Sequence, residues 1–102
     1  MDINYFPGRI RIRDKIFRDQ DIRLAFLEIA EAFDAGQKIT FNEKTASILI
    51  EYDASKIDED KFKSLEPLVQ KYRSAILFYD KRKKGEILAG IEEVKAAVKS
   101  WG

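Results

Sequence analysis

The chain is expected to fold as a small α+β domain, and three observations carry that expectation. Arg9-Ile10-Arg11-Ile12-Arg13 alternates basic and apolar residues, the mark of a strand with two unlike faces. Ile22, Phe26, Ile29 and Phe33 recur at helical spacing. Two further alternating runs, around residues 39–41 and 48–52, lie on either side of a polar turn. With 102 residues there is room for one core of ordinary size.

Taken in order, the first strand follows Phe6-Pro7-Gly8, with Ile10 and Ile12 facing a core and Arg9, Arg11 and Arg13 facing away. Asp19 or Asp21 can cap the first helix, and Gly36 stands where a left-handed C-terminal cap belongs. Ile39 and Phe41 mark a second strand, Asn42-Glu43-Lys44-Thr45 a turn, and Ile48, Ile50 and Tyr52 a third strand, so this pair reads as a hairpin. Asp58 can cap a second helix carrying Phe62, Leu65, Val69 and Tyr72, which Pro67 should kink or split near Glu66. Ala75 to Tyr79 reads as a fourth strand. The resulting order, β-α-β-β-α-β, is ferredoxin-like: a four-stranded antiparallel sheet, strands one and three central, with two helices on one face. Residues 1–80 make up that domain. Residues 81–102 read as a basic linker, Lys81-Arg82-Lys83-Lys84, hinged at Gly85, and an extra amphipathic helix with the seam Ile87, Ile91, Val94, Val98 and Trp101.

Composition excludes much chemistry. There are 19 Lys and Arg against 18 Asp and Glu, so only local charge can argue for a partner, and the basic residues gather towards the two ends of the chain. Without cysteine or histidine there is no thiolate nucleophile, no disulfide and no imidazole base or ligand. No apolar run approaches a membrane span, and the first residues carry no signal-peptide pattern, so a cytoplasmic protein without membrane insertion is expected.

Pro7-Gly8-Arg9-Ile10-Arg11-Ile12, Gly36, and the stretch from Ile39-Thr40-Phe41-Asn42 through Thr45-Ala46-Ser47-Ile48-Leu49-Ile50-Glu51-Tyr52-Asp53 resemble the heavy-metal-associated domains, in their divergent branch without metal-binding cysteines. The likeness spans about residues 5–79. It implies the ferredoxin-like fold and an association with metal-transport systems. Metal-carrying members hold a soft ion with Cys-x-x-Cys after the first strand. Here Asp14-Lys15-Ile16-Phe17-Arg18-Asp19-Gln20 contains no sulfur, and the one methionine is Met1, so neither soft metal nor any cofactor is expected.

The expected function is therefore a non-catalytic protein-interaction domain, binding a protein partner or a second copy. Its candidate contact residues are Arg9, Arg11 and Arg13, joined by Lys81, Arg82, Lys83 and Lys84 if strand four ends beside Arg9; an apolar pair, Leu24 and Leu27, on the first helix; and the seam Ile87, Ile91, Val94, Val98 and Trp101. That seam is expected to fold over the open face of the sheet, covering Leu49, Leu77 and Tyr79 and bringing Glu86 and Glu93 near the arginines; its competitor is packing on another chain. An RNA-binding module on the basic face ranks second, because domains of this topology stack bases on aromatics, and Tyr79 is the only outward one expected here. An acylphosphatase-like enzyme using Phe17-Arg18 and Asn42 ranks third, since the loop lacks phosphate-cradling glycines. Asp14, Asp19 and Asp21 read as helix caps before they read as a hard-cation site.

Overall fold

Two hairpins lie side by side in one antiparallel sheet of order β1-β2-β4-β3. β1 is Asp2–Phe6, β2 Arg9–Arg13, β3 Lys38–Asn42 and β4 Ser47–Glu51. The structure, a computed structural model, describes residues 1–32 and 38–101. Phe33 and Gly36, expected at the end of the first helix, lie outside the described residues. Between β2 and β3 run a 3-10 turn, Lys15–Arg18, and α1, Gln20–Glu31. Asp19 caps α1 by accepting from the amides of Asp21 and Ile22 at 3.0 and 3.3 Å. β2, α1, β3 and β4 thus match the first four expected elements, with β2 and β4 central.

The fourth strand is a correction. Residues Arg73–Leu77 form a helix, α4, and the edge beside β2 is filled instead by the N-terminal β1. Ala75-Ile76-Leu77-Phe78 is a short apolar run, and periodicity over so few residues does not separate strand from buried helix. Its burial decides: Ala75 and Ile76 are buried while Leu77 and Phe78 are 56% and 64% exposed, pairs of neighbours rather than alternate residues. Upstream, Ile3 and Tyr5 alternate with Asp2, Asn4 and Phe6, and Pro7-Gly8 joins this run to β2. Gly8 has φ +74, the left-handed value that the third residue of a type II turn requires. A Cβ there would stand 3.1 Å from the Tyr52 carbonyl oxygen.

The second expected helix is broken. α2, Glu59–Lys63, ends before Ser64, and α3, Glu66–Lys71, carries Pro67 in its first turn. After α4 and a 3-10 turn, Lys81–Lys83, comes α5, Lys84–Lys99. Gly85 lies within the first turn of α5 and is no hinge. Lys84 at the start of α5 pairs with Asp19 and Asp21 at the start of α1, at 3.3 and 2.6 Å. Lys95 pairs with Glu28 near the other end, at 3.0 Å, so the two long helices run parallel.

One core joins all of this: Ile10, Ile12, Ile48 and Ile50 from the sheet, Ile16, Phe17, Ile22 and Ile29 around α1, Phe62 and Ile76, and Ile87, Ile91 and Val98 of α5. Hence α5 belongs to the same packed unit as residues 1–80. It covers the inner face, a second correction, because a chain leaving α4 on the helical side meets that face first. Among the described residues, no helix is long and apolar enough to cross a membrane.

Candidate functional site

Because directly opposed residues of antiparallel strands share a face, the register fixes what the outer side of the sheet displays. Three rows cross it in the order β1, β2, β4, β3: Phe6-Arg9-Glu51-Lys38, Asn4-Arg11-Leu49-Thr40 and Asp2-Arg13-Ser47-Asn42. The alternation that buries Ile10 and Ile12 thus puts Arg9, Arg11 and Arg13 in a line on a central strand. With a rise of about 3.3 Å per residue, successive arginines stand roughly 7 Å apart.

The face holds four cations, Arg9, Arg11, Arg13 and Lys38, against Asp2 and Glu51. Among the described residues, the three arginines have no ion pair. Arg9 lies over the Phe6 ring at 5.4 Å from its centroid, and Phe6 is 43% exposed. Leu49 is half-buried at the middle of the face, while Arg9, Arg13, Lys38 and Thr40 are exposed. Sequence reasoning found the arginines and missed Phe6, Asp2 and Asn4, because it began the sheet at Arg9.

The other candidate residues fall elsewhere. Ile87, Ile91 and Val98 are buried in their own core and cannot meet a partner, which corrects their assignment as contacts. Val94 and Trp101 are partly buried, Trp101 standing edge-on to Phe62 at 5.5 Å. Leu24 is exposed, but Leu27 packs against the core, so no apolar pair is offered there. Lys81, Arg82 and Lys83 form the turn before α5 and Lys84 pairs with α1; without a fourth strand nothing brings this run to Arg9. Leu77 and Tyr79, expected on the outer face, are off the sheet, and the Tyr79 hydroxyl donates to Asp19 at 3.0 Å. Glu93 meets Tyr72 and Lys71 rather than an arginine.

The residues of the enzyme reading are spent on structure. The Arg18 guanidinium donates to the carbonyls of Glu43 and Lys44 at 3.2 and 3.5 Å. The Asn42 side chain accepts from the Lys44 amide at 3.0 Å. Both therefore brace the turn between β3 and β4. Asp14 caps the 3-10 turn through the Ile16 amide, Asp19 caps α1, and among the described residues no group of three His, Cys, Asp or Glu could hold a metal ion.

Electrostatics gather on the helical side. Burial disfavours the Asp19 charge, but the Tyr79 hydroxyl, the Ile22 amide and Lys84 outweigh it and hold its carboxyl below the usual aspartate range. Hydrogen bonds from Tyr72 and Lys71 do the same for Glu93. Burial, then Glu66, push the Tyr5 phenol up.

Compared with protein-family models, curated proteins and solved structures, the chain has no match.

Proposed function

We propose that this chain is a non-catalytic protein-interaction domain, which docks an acidic protein surface on the outer face of its sheet. The observation that supports it best is the asymmetry of that sheet: among the described residues, the buried helical side chains pack on the inner side, and the outer side is left open with three guanidinium groups in line and no ion pair. Arginine suits the task because its planar fork bonds carboxylates in pairs. A face with twice as many cations as acids repels its own copy, which favours a different, acidic protein over self-association.

The resemblance of residues 5–79 to heavy-metal-associated domains adds a setting: a member without metal ligands that works beside a metal-transport system as a docking element. Cu(I) demands thiolate or thioether ligands, and a chain without Cys has none to offer beyond Met1. No observation favours RNA, because among the described residues Phe6, at the edge, is the one aromatic on the outer face and bases need a platform of several.

The test is an amide-shift titration with a peptide of alternating Asp and Ala, in parallel with a single-stranded RNA of equal charge. The expected result is saturable, salt-sensitive shifts across β2 and β4 with the peptide, lost in Arg9→Glu/Arg11→Glu. Peptide shifts confined to other elements, or saturation by RNA alone, overturn the reading.

A further inference from the structure

On the inner side, packing is incomplete. An apolar cavity of about 110 Å³ lies between the sheet and the helices, walled by Ile3, Ile12, Phe62, Leu68, Val94 and Ile76 among others. Its cover is the broken run α2–α3–α4, three helices of five, six and five residues, and α3 has no buried residue. Apolar cavities of about 150 Å³ stay dry and take up benzene-sized guests. This void is smaller, about 110 Å³, and gives room for a short alkyl chain.

A second, open cleft of about 380 Å³ lies at the start of the chain and the end of β2, and its walls mix charged with apolar side chains. Arg13, Lys15 and Arg18 line it, with Asp2 and Asp14. The Asp14 carboxylate is already engaged, by the Ile16 amide at 3.0 Å and the Met1 amine at 3.3 Å. Arg18 is held by neutral carbonyls, and among the described residues Arg13 and Lys15 have no ion pair, so the cleft keeps an excess of positive charge. Met1 and Ile76 stand in the walls of both spaces. The cationic cleft therefore adjoins the apolar cavity, and an unbranched thioether is the kind of side chain that can give way between them.

We infer that the two spaces together form a binding site for a small amphipathic monoanion, a carboxylate with an unbranched alkyl tail of about five carbons. The tail takes the cavity and the carboxylate meets Lys15 and Arg13. This site shares Arg13 with the outer face of the sheet, but Lys15 lies outside the strands and Val94 on α5, so either reading can fail alone.

Hexanoate is the probe, with acetate, hexan-1-ol and hexylammonium as comparisons. Binding is read from amide shifts at Ile12, Ile76 and Val94 and from the fluorescence of Trp101, the chain's one tryptophan, which leans on the cavity-lining Phe62. Hexanoate is expected to saturate the site, about a hundredfold tighter than acetate, as the burial of its additional methylenes requires. Lys15→Glu should weaken hexanoate by about tenfold and leave hexan-1-ol unchanged. Val94→Phe, which fills the cavity from a partly exposed position, should weaken both. Hexylammonium binding as well as hexanoate, a Lys15→Glu variant with unaltered affinity, or no saturable shift at all would each overturn the inference; Lys15 is exposed, so that arm does not depend on a core substitution folding.

Discussion

The two faces of the sheet are built from the same strands, one residue out of step, and they do unlike work. Inside, Ile10, Ile12, Ile48 and Ile50 are buried and join the helices in one core. Outside, Arg9, Arg11, Arg13 and Lys38 remain in water. The lesson is one of separation: with a side-chain period of two, a strand can hold the fold with one set of residues and offer a charged surface with the other, at little cost to either.

Neighbouring substitutions break or sharpen that contrast most directly. Ile48 is 0% exposed, and Ile48→Ala should cost about 2–5 kcal/mol in urea denaturation, the transfer of the lost methylenes plus the cavity left behind. Arg11→Gln on the adjoining strand should stay within about 0.5 kcal/mol of the parent. Equal losses at the two positions would show that the outer face is covered after all.

A smaller effect is expected where the inner layer is tightest. A Cβ on Gly90 of α5 would meet the Tyr72 ring at 2.9–3.0 Å, while the Tyr72 hydroxyl is held by Glu93 at 2.8 Å. Gly90→Ala should therefore cost about 1–3 kcal/mol by overpacking, and the ring can make room only by giving up Glu93. A carboxyl titration that returns Glu93 towards the ordinary glutamate range in the variant checks this.

The smallest effect is electrostatic. Asp19 and Glu93 have lowered pKa values in the folded chain, so the stability they supply is full above their unfolded values and fades as pH falls through the folded ones. Melting temperature should decline below about pH 5, with part of the slope removed by Asp19→Asn, which keeps a capping side chain but not the charge. A slope unaltered in that variant would place the acid sensitivity outside the α1–α5 contact.

Much of this contrast was legible. The alternation from Arg9 to Arg13 names both faces of β2, and Asp19, the hairpin turn and the break at Pro67 stand in the sequence as the usual local signals. What escaped was non-local. β1 is five residues with Asp2 and Asn4 among them, poor strand formers that hold because β2 offers a partner. Pro7-Gly8 between two alternating runs was the signal that could have found it. Residues 75–79 read as a strand because so short an apolar run fits strand and buried helix alike, and β1 takes the edge place that strand would have filled. The cavity and its cationic neighbour draw on residues from Met1 to Val98, and no window of sequence brings those together.

Filling the edge from the N-terminus also changes the order in which the chain can assemble. β1–β2 closes through Pro7-Gly8 and β3–β4 through residues 43–46, so both hairpins need only local loop closure. The β2–β4 pairing across α1 is the one long-range step within the sheet, where a fourth strand from residues 75–79 would have added a second. Such a chain favours rapid sheet formation, while α5, last in sequence, is lashed to α1 at both ends. If those contacts form after the sheet, breaking Lys84 or Lys95 should speed unfolding and leave the folding rate unchanged.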